Sequence, residues 1–201
     1  MSRRKTKDIL SHLRLEELAR VLNELLRRHP DLRDNACAIA KDLIDDVTVE
    51  DIAHEVADLV SSIDLEDLNG RTGERAWGYV EPGEAAWKLL EESIEEVRDD
   101  MQRRMQARML PAAETICLGI ILGLYSLRSN SNEGVLGWAS DFLDETAANA
   151  VSTLVEFYPR NQRRAVGKRV LAVVEEQADG WIAMLQRVVD EAASSTRGRR
   201  K

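Results

Sequence analysis

Apolar residues recur every three or four positions along most of the chain, which is the spacing of amphipathic helices. The first such stripe precedes Pro30, a residue that ends the helix before it. Its members are five leucines: Leu15, Leu18, Leu22, Leu25 and Leu26. Charged and amide side chains fill the intervening positions, so this segment is predicted to be a helix with one apolar face.

The same periodicity predicts two helices before the middle of the chain. One covers residues 32–44, and the next begins at Thr48, whose hydroxyl is a typical helix N-cap. Residues 68–83 then contain four glycines and one proline, which rule out a regular helix there.

Three further helical regions are predicted after this break. A long helix covers residues 82–109, and another covers 134–157. A last region follows Pro159, where Gly167 and Gly180 bend or split it into two helices. We find no run that alternates as a β-strand does.

The segment ETICLGIILGLYSL contains ten consecutive residues, 116–125, without a charge or a strong polar group. A helix that crosses a bilayer needs about 20 apolar residues, so this run is too short for that role. A helix that is apolar on every side is instead buried on every side. Gly119 and Gly123 lie four residues apart and form one smooth face for close packing of another helix. We therefore predict a central core helix here.

Together these elements predict an all-α protein. It is a single helical bundle, or a short helical-repeat-like array, of about seven or eight helices around a buried helix at 111–128. We expect one helical domain over 9–193, between a disordered basic arm at 1–8 and a disordered basic tail at 194–201. The loop 69–83 is a possible boundary within that domain.

Charge is distributed unevenly along the chain. The formal net charge is −8, although four basic residues lie in the first seven positions and four in the last five. An acidic body repels nucleic acid and anionic lipid, whereas short basic arms attract either of them. We expect the arms to be solvated, with neither nucleic acid nor membrane insertion as the main mode of action.

Few residues have the chemistry of a catalytic or metal site. Cys37 and Cys117 have apolar neighbours and no CxxC spacing, which is typical of core cysteines in a reducing cytoplasm. His54 has carboxylates at helical spacing, yet the Glu-x-x-His motif of a di-metal bundle does not occur. The serine and zinc hydrolase motifs are also missing. The sequence thus predicts no catalytic residue, no metal and no cofactor, and it does not indicate an enzyme.

Two helical segments have charged faces that could bind a partner. The first is a candidate acidic docking face: Glu92, Glu95, Glu96, Asp99 and Asp100. The second is a candidate basic face: Arg160, Arg164 and Lys168. A solvated surface explains either pattern equally simply, because charged residues usually occupy the outer side of a helix.

The glycine-rich segment and the start of the helix after it contain a cluster of aromatic residues: Trp77, Tyr79 and Trp87. The glycines of this segment do not have the spacing of a dinucleotide or phosphate loop. The aromatic residues therefore either anchor the loop to the helices or line a ligand pocket.

Three stretches of the chain together resemble one known kind of protein: LRLEELARVLNELLRRHPDLRD, YVEPGEAAWKLLEESIEE and AAETICLGIILGLYSL. They are similar to the helical regions of bacterial proteins that also carry a SWIM-type zinc finger. The resemblance covers about residues 13–145 and consists of leucine spacings. The cysteines and histidine of that zinc finger are absent, so the resemblance implies a helical-repeat-like fold and no metal.

The leading functional hypothesis is a non-catalytic protein–protein interaction or scaffold module whose partner is another protein or a second copy. One alternative is a helical regulator that senses a small molecule near the aromatic cluster. Another is a nucleic-acid-associated protein that uses its basic tails. The first residues have charge without a following apolar region, so no signal peptide is indicated and a cytoplasmic location is expected.

Overall fold

The computed structural model describes residues 9–44, 47–75 and 78–195. The fold is all-α, as predicted, with ten α-helices in these described ranges rather than seven or eight. The described residues form two compact units, divided between Asp46 and Val47. This division differs from the sequence expectation, because the loop 69–83 lies within the second unit. Both basic ends fall outside the described residues, apart from positions 194 and 195.

The described residues of the N-terminal unit form two helices. They are α1 (Leu15–Arg28) and α2 (Arg33–Ile44), with short 3₁₀ turns at Ile9–His12 and Pro30–Leu32. Glu17 strengthens the start of α1, because its carboxylate accepts the backbone N–H of Arg14 at 2.9 Å.

The C-terminal unit contains the other helices and one small hairpin. In chain order these elements are α3 (Val49–Ser61), α4 (Leu65–Asn69), β1 (Gly73–Arg75), β2 (Gly78–Val80), α5 (Pro82–Ser93), α6 (Glu95–Gln106), α7 (Leu110–Ser126), α8 (Phe142–Phe157), α9 (Arg160–Gln177) and α10 (Ile182–Ser194). Thr48 caps α3 as predicted, accepting the backbone N–H of Asp51 at 3.1 Å.

Helix α7 is the centre of the C-terminal unit. It contacts α3, α6, α8 and α9, while α10 packs on α8 and α9. Most of its apolar side chains are buried, including Ile116, Ile120, Ile121 and Leu124, whereas Leu118 and Leu122 on one side are half-buried. This arrangement is a bundle around the apolar helix that the sequence predicted.

The glycines of α7 set its distance from α3. A Cβ atom added at Gly119 would lie 2.4 Å from the Cβ of Ile52. One added at Gly123 would lie 2.6 Å from the carbonyl oxygen of Ala53 and 2.9 Å from the Cβ of Val56. All three distances are shorter than any normal contact of a methyl group, so α3 can approach this closely only because both positions are glycine.

Three helix boundaries differ from the sequence predictions. The helix predicted over 82–109 is two helices, because the backbone at Ile94 leaves the helical region (φ −106°, ψ 8°). Beside this break the hydroxyl of Ser93 donates to the carbonyl of Leu90 at 2.8 Å, a local bond that competes with the helix. The helix predicted to start at 134 starts at Phe142, after Gly134 with φ +55°. The last region does not break at Gly167, which lies within α9.

A short antiparallel hairpin replaces the strand-free loop that the sequence predicted. Strands β1 and β2 pair Gly73 with Val80 and Arg75 with Gly78. Gly73 and Gly78 have φ of +92° and +136°, values that a residue with a side chain rarely adopts. Three residues per strand are too few for an alternating pattern to be visible in the sequence.

Candidate interaction surface

The apolar side of α1 is exposed. Leu15, Leu22 and Leu25 have exposed fractions of 85%, 49% and 43%. We define the leucine face by its five exposed members: Leu15, Leu18, Val21, Leu22 and Leu25. With Ala19 and Leu26 they cover an arc of about 160° at 100° per residue, which is wide enough for a helix to bury on one side.

Helix α3 shows what such a stripe does when a neighbour is present. Ile52, Val56 and Val60 have the same helical spacing as the leucines of α1, and all three are buried. No residue among 9–42, in contrast, is buried. Exposed apolar patches of this kind mark surfaces that bind other molecules.

The polar side of α1 has balanced charge. It consists of three acidic and three basic residues: Glu16, Glu17, Arg20, Glu24, Arg27 and Arg28. Glu24 pairs with Arg27 at 2.8 Å and with Arg28 at 2.6 Å. Hydrogen bonds from Arg27 and then Arg28 hold the pKa of Glu24 below its ordinary value. The polar side of α1 therefore has no net charge, and Glu24 is paired within the helix.

The candidate acidic face is partly paired within the chain. Arg71 forms an ion pair with Glu92. Asp100 accepts Arg103 at 2.5 Å and Arg104, whose side chain is buried, at 3.0 Å. Asp100 therefore has a structural role, which corrects its interpretation as part of a solvated row. The other four members of the acidic face are exposed, as expected of an outer surface: Glu92, Glu95, Glu96 and Asp99. Asp100 is half-buried.

A surface groove of about 620 Å³ runs between α3 and α6 beside these carboxylates. Its polar lining includes Glu55, Glu96, Asp99 and Arg103. Among the residues that the structure describes, no group of three histidine, cysteine or carboxylate side chains is placed to hold a metal ion. The groove is thus an acidic depression of mixed chemistry.

The candidate basic face lies on the outer side of α9. Arg160, Arg164 and Lys168 are exposed, and none of their side chains forms a hydrogen bond or ion pair with another described residue. The structure thus brings these three side chains to one surface. The cation–π contacts of the described residues, Arg108 on Phe157 and Arg128 on Tyr125, do not involve these three side chains.

Arg163 directly precedes Arg164 of the basic face but is buried, and the sequence interpretation missed its role. Its guanidinium donates to four backbone carbonyls: Tyr158 at 3.0 Å, Ala192 at 3.0 Å, Ser195 at 3.0 Å and Glu156 at 2.9 Å. These carbonyls lie at the C-terminal ends of α8 and α10, where the helix dipole favours a positive charge. Arg163 therefore joins two helix ends.

A second polar cluster joins α7 to α9. Glu114 accepts Arg169 at 2.6 and 3.0 Å and also accepts the hydroxyl of Tyr158. Burial and then the hydrogen bond to Glu114 raise the pKa of Tyr158. Burial, with a smaller effect from Glu114, raises the pKa of the Cys117 thiol to about 12. Cys117 is thus a neutral core residue, as predicted, whereas Cys37 is exposed, contrary to that prediction.

The structure describes two of the three residues in the aromatic cluster. Trp87 packs edge-on against Phe142, with ring centroids 5.3 Å apart, so it fits the anchor interpretation. Tyr79, on β2, is 61% exposed. Trp77 lies outside the described residues. His54 is exposed on α3.

Comparison with known proteins adds no relative. No family model matches the chain, and no curated protein or solved structure is similar to it. The resemblance to the helical regions of SWIM-type zinc-finger proteins stays a prediction. In the described ranges, no helix is both long enough and apolar enough to cross a membrane.

Proposed function

We propose that this chain is a non-catalytic interaction module and that the leucine face of α1 binds an amphipathic helix of a protein partner. One observation carries the proposal: a helix with a wide apolar arc leaves that arc exposed. Burying the exposed parts of its leucines contributes about 1 kcal/mol each, since burial of a whole leucine side chain contributes about 1.5–3 kcal/mol.

The shape and charge of α1 favour a helix over a lipid surface. A helix of 14 residues is about 21 Å long, which suits lengthwise packing against another helix. Helices that lie on anionic membranes have a polar side rich in lysine and arginine. The polar side of α1 has equal numbers of acidic and basic residues, so it lacks that attraction.

In-cell photo-crosslinking tests the proposal directly. A photoreactive amino acid replaces Leu22 at the centre of the leucine face, and the chain is irradiated in its native cell. We expect a discrete protein adduct, because the partner helix covers this position. Leu65 on α4 is the matched control, since it is 48% exposed against 49% for Leu22.

Comparing the adducts from positions 22 and 65 distinguishes a docked partner helix from chance contact with other proteins. A protein adduct from position 22 that is absent from position 65 supports the proposal. No protein adduct at position 22, or equal labelling at both positions, contradicts it.

A further inference from the structure

We infer that the partner helix is α1 of a second copy of this chain and that the two helices pack antiparallel. The inference rests on the proposed function, because it names the occupant of the same leucine face. Three observations lead to it: the spacing of the leucines, the charges at the helix ends, and the lack of burial in the N-terminal unit.

The leucines have the spacing of a coiled-coil seam. Leu15, Leu18, Leu22 and Leu25 are separated by three, four and three residues, which is the a and d pattern of a heptad repeat. Such a seam is complementary to another seam of the same kind, because knobs from each helix fill holes in the other. A second copy supplies this surface without any further sequence.

The charges at the two ends of α1 select the antiparallel orientation. Glu16 and Glu17 lie in its first turn, and Arg27 and Arg28 lie in its last turn. A parallel pair would place acid beside acid at one end and base beside base at the other. An antiparallel pair places each acidic end beside a basic end, and it also aligns the helix dipoles favourably.

Glu17 and Arg28 are the most informative of these residues. At 100° per residue both lie on the same flank of the leucine face, about 20° apart around the axis. In an antiparallel pair, like flanks face each other. Glu17 of each copy therefore lies beside Arg28 of the other, in addition to the bond that Arg28 makes with Glu24.

The N-terminal unit also lacks the burial that a unit of this size requires. It ends at Asp46, and none of its residues 9–42 is buried. Units of about 40 residues usually need a disulfide, a metal or oligomerisation to be stable. Its cysteine, Cys37, is a free thiol, and no metal-binding group is found in its described residues. Pairing with a second copy supplies the missing apolar contacts.

Light scattering of the purified full chain tests the occupant. The dissociation constant expected for a dimer held by a short apolar seam lies between about 1 and 500 μM. As the protein concentration rises through this range, the mass of the wild-type particle should increase from 22.7 kDa to twice that value. Leu22→Glu should keep the chain at the monomer mass, because it puts a charge in the centre of the seam. Leu65→Glu, which is equally exposed on another helix, should dimerise as the wild type does.

A double-mutant cycle tests the orientation. Glu17→Arg and Arg28→Glu should each weaken the dimer about threefold, since each variant places like charges together. The double variant should lose less dimer affinity than the product of the two single-variant losses, because it restores opposite charges at the same place. The two positions are eleven residues, or about 16 Å, apart along one helix, so only antiparallel pairing brings them together. If the loss of affinity in the double variant equals the product of the two single losses, the two side chains do not interact and the antiparallel orientation is overturned.

The outcomes separate this inference from the proposed function. A wild-type chain that stays monomeric to about 500 μM, or a Leu22→Glu variant that still dimerises, overturns pairing through a second copy. If position 22 then still forms an adduct with a different protein in cells, the proposed function stands and the occupant is another chain. If the wild-type chain instead sediments with phosphatidylglycerol vesicles and the Leu22→Glu variant does not, the leucine face binds lipid. That result overturns the proposal of a helix as the partner as well.

Discussion

Replacing Gly123 with leucine is expected to lower the free energy of unfolding of the C-terminal unit by about 3 kcal/mol, the upper end for overpacked cores. The first atom of the new side chain would lie 2.6 Å from a backbone oxygen of α3, which cannot rotate away. Helix α3 must therefore separate from α7 and lose part of its apolar contact. Urea unfolding measures the change as a lower midpoint.

Gly70→Leu is the matched control for this substitution. A Cβ at Gly70 has no neighbour closer than 3.7 Å, and the backbone there is in the right-handed helical region (φ −67°). We expect that variant to unfold at or slightly above the wild-type midpoint, because leucine has a better helix propensity than glycine by roughly 0.7 kcal/mol or more. A raised midpoint with an unchanged slope for Gly123→Leu would contradict the close packing of α3 on α7.

Arg163→Met is expected to have an effect of similar size. Four backbone carbonyls lose a charged donor, and hydrogen bonds to charged groups contribute about 1.5–3 kcal/mol each when they are buried. Because water can enter and replace some of these bonds, we expect a net loss of about 3 kcal/mol, or a melting temperature lower by about 6–12 °C.

Arg164→Met provides the comparison, since it removes the same charge one residue away. Arg164 is exposed on the outer side of α9, so its loss should change the melting temperature by a degree or two at most. Equal effects of the two substitutions would contradict the role of Arg163 in joining the ends of α8 and α10. Arg163→Lys should fall between them, because an ammonium group keeps the charge but not the planar fork of donors.

The core helix could be predicted from the sequence because its pattern allows one interpretation. Residues 116–125 have no polar side to turn toward water, and the run is too short for a membrane. The same pattern predicted the glycine face, since only a close neighbour compensates for two glycines in a helix. The identity of that neighbour, α3, could not be predicted, because many helices in this chain have a suitable stripe.

Helix α1 shows the limit of the same reasoning. Its stripe and that of α3 are equivalent in sequence, and both predict a buried face. Periodicity shows that a face is apolar but not which surface covers it. The structure differs from the expectation of one continuous domain at this point, and the candidate interaction surface follows from that difference.

The position of Arg163 in the sequence already indicates that its side chain is buried. It precedes Val166, Val170 and Val174 at helical spacing, so it has the phase of the buried side of α9. Arg164 and Lys168 lie about 100° and 140° away from Arg163 around the helix axis, whereas Arg160 lies about 60° away. Helical phase therefore separates the buried arginine from Arg164 and Lys168, although not from Arg160, which is exposed because it is the first residue of α9.

Deuterium uptake by the backbone amides of α1, measured at several protein concentrations, tests the central claim most directly. A helix without buried residues opens at little free-energy cost, so α1 should exchange rapidly in dilute protein. Its protection should rise with concentration in the wild type and not in Leu22→Glu, while α7 stays protected throughout. Strong protection of α1 that is the same at every concentration and in both proteins would contradict the account, since the leucine face would then be buried without a partner.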